Sequence, residues 1–370
     1  MTSLDLFCDS KIKELEEKNS LRSLKEAKFL DANYIKINNK KYLNFASNDY
    51  FAMANNKLVK AHAIKAIKQY GVGGTSSRLI SGNHHYYKIL EEKIAKIKNT
   101  ESALIFGSGF LTSAGILQAL IDKDDLIIAD KFIHASLLDG AKLTKAQLKR
   151  FNHNDLEHLE YILNNNSKNY KKIIIISETI FSMDGDQADL KSMLKIAKKY
   201  QAYLLADDAH GFGVVASDLK DESYIQMGTL SKAIGSYGGY VAGSKKLIDY
   251  LASSARSLIY TTSLPIPVMA AACKAIDLIV KKDKYKVLLD KNINLFAENS
   301  GLKNNKSPIF IKEFKNIKAA EKAHSLILKK GFYTAFIRPP TAKTARIRIS
   351  LNSLHKKRDV KNLALLLKSL

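Results

Sequence analysis

The sequence predicts an α/β fold built on a mostly parallel sheet. From about residue 45 onward, short unbroken apolar runs recur, each followed by a glycine or acidic turn and a helical pattern. Strands that are apolar at every position are typical of a parallel sheet covered by helices on both faces. The runs lie at residues 103–106, 126–129, 173–176, 203–206 and 240–242. In such a sheet, polar residues just past the strand ends face the ligand crevice.

The flanking segments predict an N-terminal arm and a second, smaller domain. Residues 1–45 begin with a charged amphipathic helix and continue into a hairpin-like segment at 33–44. The apolar positions of that helix are Ile12, Leu15, Leu21 and Leu24. The large domain is predicted over residues 46–265, because the strand rhythm breaks at Leu264-Pro-Ile-Pro267. The small α/β domain, 266–370, starts with a helix over 268–287 and has strands near 309–311 and 345–351.

The composition is that of a globular protein. Hydrophobic residues make up 46% and charged residues 26% of the chain, which excludes a disordered protein. Cys8 and Cys273 are far apart and have no Cys/His cluster near them, so neither a disulfide framework nor a metal site is expected. We expect a cytoplasmic protein, without a targeting signal and without contact with a membrane.

The net charge of +23 raises the question of an acidic partner. The lysines are spread through helical stretches and form no basic arm, so a nucleic-acid partner is not expected. Two interpretations stay open. The chain has a generally lysine-rich surface, or it attracts an acyl carrier protein or the phosphates of coenzyme A.

Lys232 is predicted to be a reactive amine. It lies within Gly228-Thr-Leu-Ser-Lys-Ala-Ile-Gly235, among small residues and without a carboxylate near it in sequence. A lysine becomes a nucleophile when its surroundings depress its pKa, and small neighbours admit a planar cofactor. Lys232 is therefore a candidate anchor for pyridoxal phosphate. The alternative is an ordinary turn before a glycine-rich strand.

Four further segments could surround such a cofactor. The turn at Gly107-Ser-Gly109 leads from a strand into a helix, as phosphate sites do, although glycines also serve turns alone. Asp207 follows a strand and could pair with a protonated pyridine nitrogen, with His210 reaching the ring oxygen, or it could cap a helix. His134 could stack on the ring, and the Ser182 hydroxyl could reach it. Asp184 and Asp186 suit a tight turn at Gly185 better than a metal site.

Taken together, the chain resembles the α-oxoamine synthase family of fold-type I pyridoxal-phosphate enzymes over nearly its whole length. The stretches that carry the resemblance are Gly71–Gly82, Phe106–Gly109, His134–Ser136, Phe151–Asp155, Phe181–Asp186, Asp207–His210, Gly228–Lys232 and Ile337–Thr341. The resemblance implies a large domain with a seven-stranded, mostly parallel sheet.

The resemblance also implies a role for individual residues. Lys232 would hold the cofactor as an imine, Asp207 would pair with its ring nitrogen, and His210 would contact its ring oxygen. His134 would stack on the ring. The other residues implied at the cofactor or its phosphate are Gly109, Phe110, Ser182 and Thr229.

For the substrates, the resemblance implies that Arg346 receives the amino-acid carboxylate and that Arg22 and Thr341 lie along the acyl path. A homodimer with a shared active site is implied, in which Tyr260–Ser263 serves the partner's pocket.

The activity implied is the decarboxylative condensation of an amino acid with an acyl thioester. The stretches 76–82, 148–155 and 258–265 favour the branch of biotin biosynthesis that joins L-alanine to a pimeloyl thioester, carried by coenzyme A or an acyl carrier protein. The alternatives are glycine with acetyl-CoA, glycine with succinyl-CoA and serine with a long acyl chain. An aminotransferase, a desulfurase and a non-catalytic basic binding protein are more distant ones.

Overall fold

The computed structural model describes residues 2–18, 20–216, 218–281 and 283–370. The α-helices of these residues are α1 (Ser3–Glu17), α2 (Lys57–Tyr70), α3 (His85–Lys98), α4 (Gly109–Leu120), α5 (Ala135–Lys142), α6 (Leu156–Asn166), α7 (Leu190–Lys199), α8 (Lys245–Ser254), α9 (Arg256–Ile259), α10 (Ile266–Lys281), α11 (Lys284–Ser300), α12 (Ile317–Lys329) and α13 (Lys357–Lys368). A π-helical turn, Arg78–Gly82, and a 3₁₀ turn, Ser167–Asn169, complete the helical segments described.

The strands are β1 (Ala27–Phe29), β2 (Tyr34–Ile37), β3 (Lys40–Asn44), β4 (Ser102–Phe106), β5 (Leu126–Asp130), β6 (Gln147–Phe151), β7 (Ile173–Glu178), β8 (Tyr203–Asp207), β9 (Tyr224–Thr229), β10 (Gly239–Gly243), β11 (Ile309–Glu313), β12 (Phe332–Tyr333), β13 (Ala335–Ile337) and β14 (Arg346–Ser350).

The central sheet has seven strands in the order β4-β10-β9-β8-β7-β5-β6. Only β10 runs against its neighbours in this sheet, and the other pairings are parallel. Every residue of β5 and β7 is buried, as strands covered on both faces require. The predicted α/β class and the seven-stranded, mostly parallel sheet are confirmed.

The five apolar runs correspond to β4, β5, β7, β8 and β10, whereas β6 and β9 were not predicted. Strand β6 pairs with β5 at the edge of the sheet and is mostly accessible, so its sequence Gln-Leu-Lys-Arg-Phe stays polar. Strand β9 is buried but contains Gln226. That side chain donates a hydrogen bond to the carbonyl of Lys98 at 2.9 Å, which satisfies an amide that breaks the apolar pattern.

The N-terminal helix is shorter than predicted. It ends at Glu17, and the backbone amides of Ser20 and Leu21 both donate to the carbonyl of Leu15, which closes the last turn. Leu21 and Leu24 therefore lie outside the helix, in a segment without regular secondary structure. The predicted hairpin is confirmed as β2 and β3. Strand β12, from the C-terminal part of the chain, adds to β3 in parallel.

The C-terminal part contains a three-stranded antiparallel sheet in the order β11-β14-β13, which confirms the two predicted strands. The single helix predicted over 268–287 is instead two helices, α10 and α11. The sequence at the junction, residues 281–284, is Lys-Lys-Asp-Lys. It contains no apolar residue that would continue the buried face of one long helix. Helix α10 packs against α2 and α3, and α11 packs against α13.

None of the helices in the described parts of the chain is both long and apolar enough to cross a membrane.

Candidate active site

Seven of the residues predicted from the sequence line one cavity of about 180 Å³ at the carboxyl edge of the central sheet. The topology explains why they meet, because the loops that follow parallel strands leave the sheet at the same edge. His134 follows β5, Asp207 ends β8, and Thr229 ends β9 shortly before Lys232. The seven are Gly109, Phe110, His134, Asp207, His210, Thr229 and Lys232.

The amine of Lys232 faces a histidine. Its Nζ lies 2.8 Å from Nε2 of His210, and the other ring nitrogen of His210 lies 2.6 Å from the Tyr50 hydroxyl. Burial lowers the pKa of Lys232, and the nearby carboxyl groups of Asp207 and Glu178 oppose that shift. Burial, followed by the charges of Lys232 and Arg348, lowers the pKa of His210 well below its ordinary value. The imidazole is therefore neutral, and the amine is in reach of its uncharged, nucleophilic form.

Asp207 is a buried carboxyl group in the lining of the cavity. Its Oδ1 accepts a hydrogen bond from the backbone amide of Ala209 at 2.9 Å. Burial raises its pKa, and the charge of Lys232 is the main opposing influence. Among the described residues, no ion pair within 4 Å involves Asp207. Such a carboxyl group suits a ligand that brings its own cationic N–H.

Glu178 is a second acidic residue in the cavity, and the sequence analysis gave it no role. It ends β7 in register with Asp207 on β8. Its Oε1 is buried and has no hydrogen-bond partner within the described protein. Burial, followed by the neighbouring Asp207, raises its pKa well above the ordinary value. We therefore treat Glu178 as protonated, and a hydrogen-bonding ligand group would satisfy it.

His134 caps helix α5 and presents its ring to the cavity. Its Nδ1 accepts a hydrogen bond from the backbone amide of Ser136 at 3.2 Å and lies 2.9 Å from that residue's hydroxyl. These contacts fix the ring's orientation. Burial lowers the pKa of His134, although the charge of Asp207 opposes the shift. A neutral, fixed imidazole can serve as a flat surface for a ring.

The part of the cavity lined by the start of α4 is suited to a phosphate. Helix α4 begins at Gly109, and the first N–H groups of a helix lack intrahelical partners. The hydroxyl of Thr229 lies 2.8 Å from that of Ser231, and both residues line the cavity. With the Lys232 amine, the Asp207 carboxyl group and the His134 ring, this donor set fits pyridoxal phosphate from its aldehyde to its phosphate.

The remaining predicted residues lie outside the cavity lining. Ser182 is buried, and its carbonyl accepts a hydrogen bond from Arg348 Nε at 2.6 Å. Arg22 donates to the Thr341 hydroxyl at 2.6 Å, so the structure brings these two residues together across the length of the chain. Arg338 strengthens this contact by donating to the Leu21 carbonyl at 2.8 Å.

Arg346 is not brought to the cavity. Its two terminal nitrogens form ion pairs with Asp184 at 2.7 Å and Glu313 at 2.6 Å. Glu313 faces it directly in the β11–β14 register. A guanidinium that is neutralised by two carboxylates cannot also receive a substrate carboxylate without losing them.

Arg348, two residues further along β14, has the environment expected for that role instead. It is 5% exposed, and its Nη atoms contact Asn48 at 3.1 Å and Ser350 at 2.8 Å. None of the ion pairs found between described residues includes it. Asn48 also accepts a hydrogen bond from the Tyr50 hydroxyl at 3.3 Å, and that hydroxyl lies 2.6 Å from Nδ1 of His210, so Arg348 is linked to the cavity through two side chains. The sequence analysis missed Arg348. It lies two residues after Arg346 in the same strand, so the strand pattern favoured both arginines equally.

The segments at 71–82 and 260–263, both of which belong to the resemblance, pack on each other. A Cβ atom added to Gly74 would lie 2.5 Å from the Ser263 carbonyl oxygen, so only glycine allows the close approach. A β-bridge joins Ser77 to Thr262. Leu79, Ile80 and Tyr260 from these segments are exposed.

Comparisons with known proteins agree with this geometry. Residues 40–366 match the family model described as aminotransferase class I and II. The 8-amino-7-oxononanoate synthase of Beijerinckia indica subsp. indica is 39% identical over 374 residues, covering 98% of this chain and 97% of that protein. The serine palmitoyltransferase structure of Sphingomonas wittichii superposes with a TM-score of 0.89 at 26% identity, covering 100% of this chain and 98% of that one. An 8-amino-7-oxononanoate synthase structure from Francisella tularensis has a TM-score of 0.75 at 26% identity, covering 89% of this chain and 97% of that one.

The family, the fold type and the pyridoxal-phosphate cofactor predicted from the sequence motifs are confirmed by these matches. The predicted enzyme class, a pyridoxal-phosphate-dependent acyltransferase, is confirmed with them. The chain therefore belongs to the α-oxoamine synthase family, within the class I and II aminotransferases.

Proposed function

We propose that this enzyme condenses L-alanine with a pimeloyl thioester and releases carbon dioxide, the free thiol and 8-amino-7-oxononanoate, a step of biotin biosynthesis. The proposal is supported most directly by the full-length similarity to a protein named 8-amino-7-oxononanoate synthase. The structural likeness to a serine palmitoyltransferase keeps serine with a long acyl chain as the alternative.

The cofactor supplies an electron sink for the negative charge that develops at the amino-acid Cα. Lys232 holds the cofactor covalently, and its amine, when released, takes and returns the Cα proton. The lowered pKa of Lys232 increases the fraction of its amine that is uncharged, which is the form that a general base requires. Asp207 keeps the ring nitrogen protonated, and the neutral His210 imidazole positions both the amine and the ring oxygen.

The remaining groups hold the cofactor in place. His134 covers one face of the ring. Gly109, Phe110 and Thr229 bind the phosphate end of the cofactor at the start of α4. Ser182, in the loop after β7, also contacts the cofactor.

We assign the amino-acid carboxylate to Arg348 rather than to Arg346. A buried guanidinium without a carboxylate partner can form a two-bonded pair with a substrate carboxylate. Asn48 and the carbonyl of Ser182 orient its planar group. In this assignment, Arg346 braces the loop at Asp184.

Arg22 and Thr341 are proposed to line the acyl path, where their hydrogen bond ties the N-terminal arm to the loop after β13. A homodimer is proposed to cover the exposed apolar side chains of Leu79, Ile80 and Tyr260. The thioester carrier is either coenzyme A or an acyl carrier protein, and a cytoplasmic location remains a prediction.

A single substrate matrix tests the proposal. Purified enzyme loaded with pyridoxal phosphate is incubated with alanine, glycine or serine, each with pimeloyl-CoA, pimeloyl acyl carrier protein or palmitoyl-CoA. We expect release of 8-amino-7-oxononanoate from alanine and a pimeloyl thioester, detected by mass spectrometry. Faster turnover of serine with palmitoyl-CoA would contradict the proposal and favour the alternative.

A further inference from the structure

His153 lies outside the cavity lining and bridges two acidic residues, one at the end of a strand and one in a loop. It belongs to the loop between β6 and α6. Its Nδ1 lies 2.9 Å from Oδ1 of Asp130, at the end of β5, and its Nε2 lies 2.8 Å from Oδ2 of Asp186, in the loop after β7. One imidazole therefore joins segments at the carboxyl ends of three adjacent strands of the central sheet.

The two contacts fix the charge of the ring. An ionised carboxylate only accepts hydrogen bonds, so both ring nitrogens have to donate, and only imidazolium has two N–H groups. Burial by itself would lower the pKa of His153, but the hydrogen bonds and charges of Asp130 and Asp186 outweigh it and raise the pKa to about 10. His153 is therefore a cation at neutral pH.

The faces of the ring contact the neighbours of two cofactor-site residues. Phe132 stacks on it with centroids 4.4 Å apart, and Phe181 meets it edge-on, also at 4.4 Å. Phe132 is two residues before His134, and Phe181 directly precedes Ser182. A change in the position of His153 would therefore displace both loops of the candidate active site.

Asn154 extends the same bridge through its backbone and side chain. Its backbone amide donates to Asp130 Oδ2 at 2.9 Å, and its side-chain amide donates to Asp186 Oδ2 at 2.8 Å. The loop at 153–154 thus contacts Asp130 and Asp186 twice each. Each residue of the His-Asn pair therefore contacts both carboxylates.

We propose that His153 is a positioning residue, which holds the loop carrying His134 in a fixed relation to the loop carrying Ser182. Through the Ser182 carbonyl it also supports Arg348, so this part of the inference rests on the proposed function of that arginine. His153 takes no part in proton transfer to substrate, because both of its nitrogens are occupied.

The test uses His153→Gln in the full-length enzyme loaded with pyridoxal phosphate. Glutamine can donate to one carboxylate but cannot bridge two as a cation. We expect the dissociation constant for pyridoxal phosphate to rise about tenfold. The visible circular dichroism of the bound cofactor should change, because its ring is held less firmly. We expect kcat/KM for the amino acid to fall by about ten- to a hundredfold, because misplacing a reacting group by about 1 Å can have an effect of this size.

His158→Gln is the matched control. His158 follows in the same segment, and its Nδ1 accepts a hydrogen bond from the Asn152 backbone amide at 3.0 Å, but it reaches neither Asp130 nor Asp186. Cofactor affinity and circular dichroism that stay at wild-type values in His153→Gln, or change equally in both variants, would overturn the inference. If His153→Gln does not fold, Asp186→Asn removes one of the two carboxylates and is judged by the same measurements.

Both cofactor measurements are made without an acyl substrate. If the wild-type enzyme uses an amino acid other than alanine, the proposed function fails, while the role of His153 is still decided by cofactor affinity and circular dichroism.

Discussion

The amine of Lys232 and Nε2 of His210 lie 2.8 Å apart, and a 2.6 Å contact links the same imidazole to the Tyr50 hydroxyl. Tyr50 is fully buried, so this short chain of hydrogen bonds runs from the core to the edge of the cavity. The partner of the amine is a neutral ring rather than a carboxylate. The hydrogen bond of the amine therefore adds no charge stabilisation, and only the more distant carboxyl groups of Asp207 and Glu178 favour its charged form.

Replacing Lys232 by alanine should abolish covalent attachment of the cofactor and reduce turnover to background, because no other amine is described in the cavity lining. Borohydride reduction followed by denaturing mass spectrometry measures the attachment. The wild-type chain should gain the mass of the reduced cofactor, and the variant should not. A variant that still carries the adduct would show that another lysine anchors the cofactor.

Asp207→Asn and Glu178→Gln form a matched pair at registered positions on β8 and β7. The first should lower kcat by several orders of magnitude, because an amide cannot stabilise a protonated ring nitrogen. Glu178→Gln should lower kcat by less than about tenfold, because burial and the charge of Asp207 already raise the pKa of Glu178 and keep it neutral. Steady-state kinetics with saturating cofactor compare the two, and equal losses would contradict the different roles.

Arg348→Lys and Arg346→Lys separate the two arginines of β14. Loss of the planar, two-bonded contact at Arg348 should raise KM for the amino acid by about ten- to a hundredfold. Arg346→Lys should leave KM within about threefold, because lysine can still pair with Asp184 or Glu313. If Arg346→Lys raises KM more than Arg348→Lys does, the substrate carboxylate binds Arg346 instead.

Lys98 and Asp208 form a buried ion pair directly behind the Asp207 loop, and the Tyr240 hydroxyl donates to the same carboxylate. Lys98→Met leaves that carboxylate buried without its cation and should lower the free energy of unfolding by about 3–5 kcal/mol. The exposed pair of Lys199 and Glu160 provides the control, since solvent screens this pair and Lys199→Met should lower the free energy of unfolding far less than Lys98→Met. Urea unfolding of both variants measures the difference.

His153 predicts a pH dependence of stability. Its pKa is about 10 in the folded protein and near 6.5 in an unfolded chain, so the folded state binds the proton more tightly. The resulting stabilisation is complete below about pH 6.5 and is lost as the pH rises towards 10. The difference in unfolding free energy between wild type and His153→Gln should therefore shrink over this range. A constant difference would show that the imidazole is not charged.

The sequence predicted most of the cavity because the relevant residues follow strands. His134, Asp207 and Lys232 each come shortly after an apolar run or a glycine-rich turn, and parallel topology brings such positions to one edge of the sheet. Recognising the strand ends was sufficient for these residues, and the exact pairing of β6 and β9 was not needed.

The choice between Arg346 and Arg348 could not be made in the same way. The two arginines are two positions apart in one strand, so their side chains lie on the same face of the sheet and the pattern of alternating residues does not distinguish them. What separates them is the register of the neighbouring strand, which places Glu313 opposite Arg346 and Ile311 opposite Arg348. Register depends on tertiary pairing, which a single sequence does not reveal.

The parallel pairing of β12 with β3 has a consequence for biosynthesis. The hairpin is synthesised long before the strand that completes its edge, because β12 follows β3 after most of the helices and strands have been translated. Until then, β3 exposes unpaired backbone groups on one side. Nascent chains halted before Phe332 should therefore be more prone to intermolecular strand association than the finished protein.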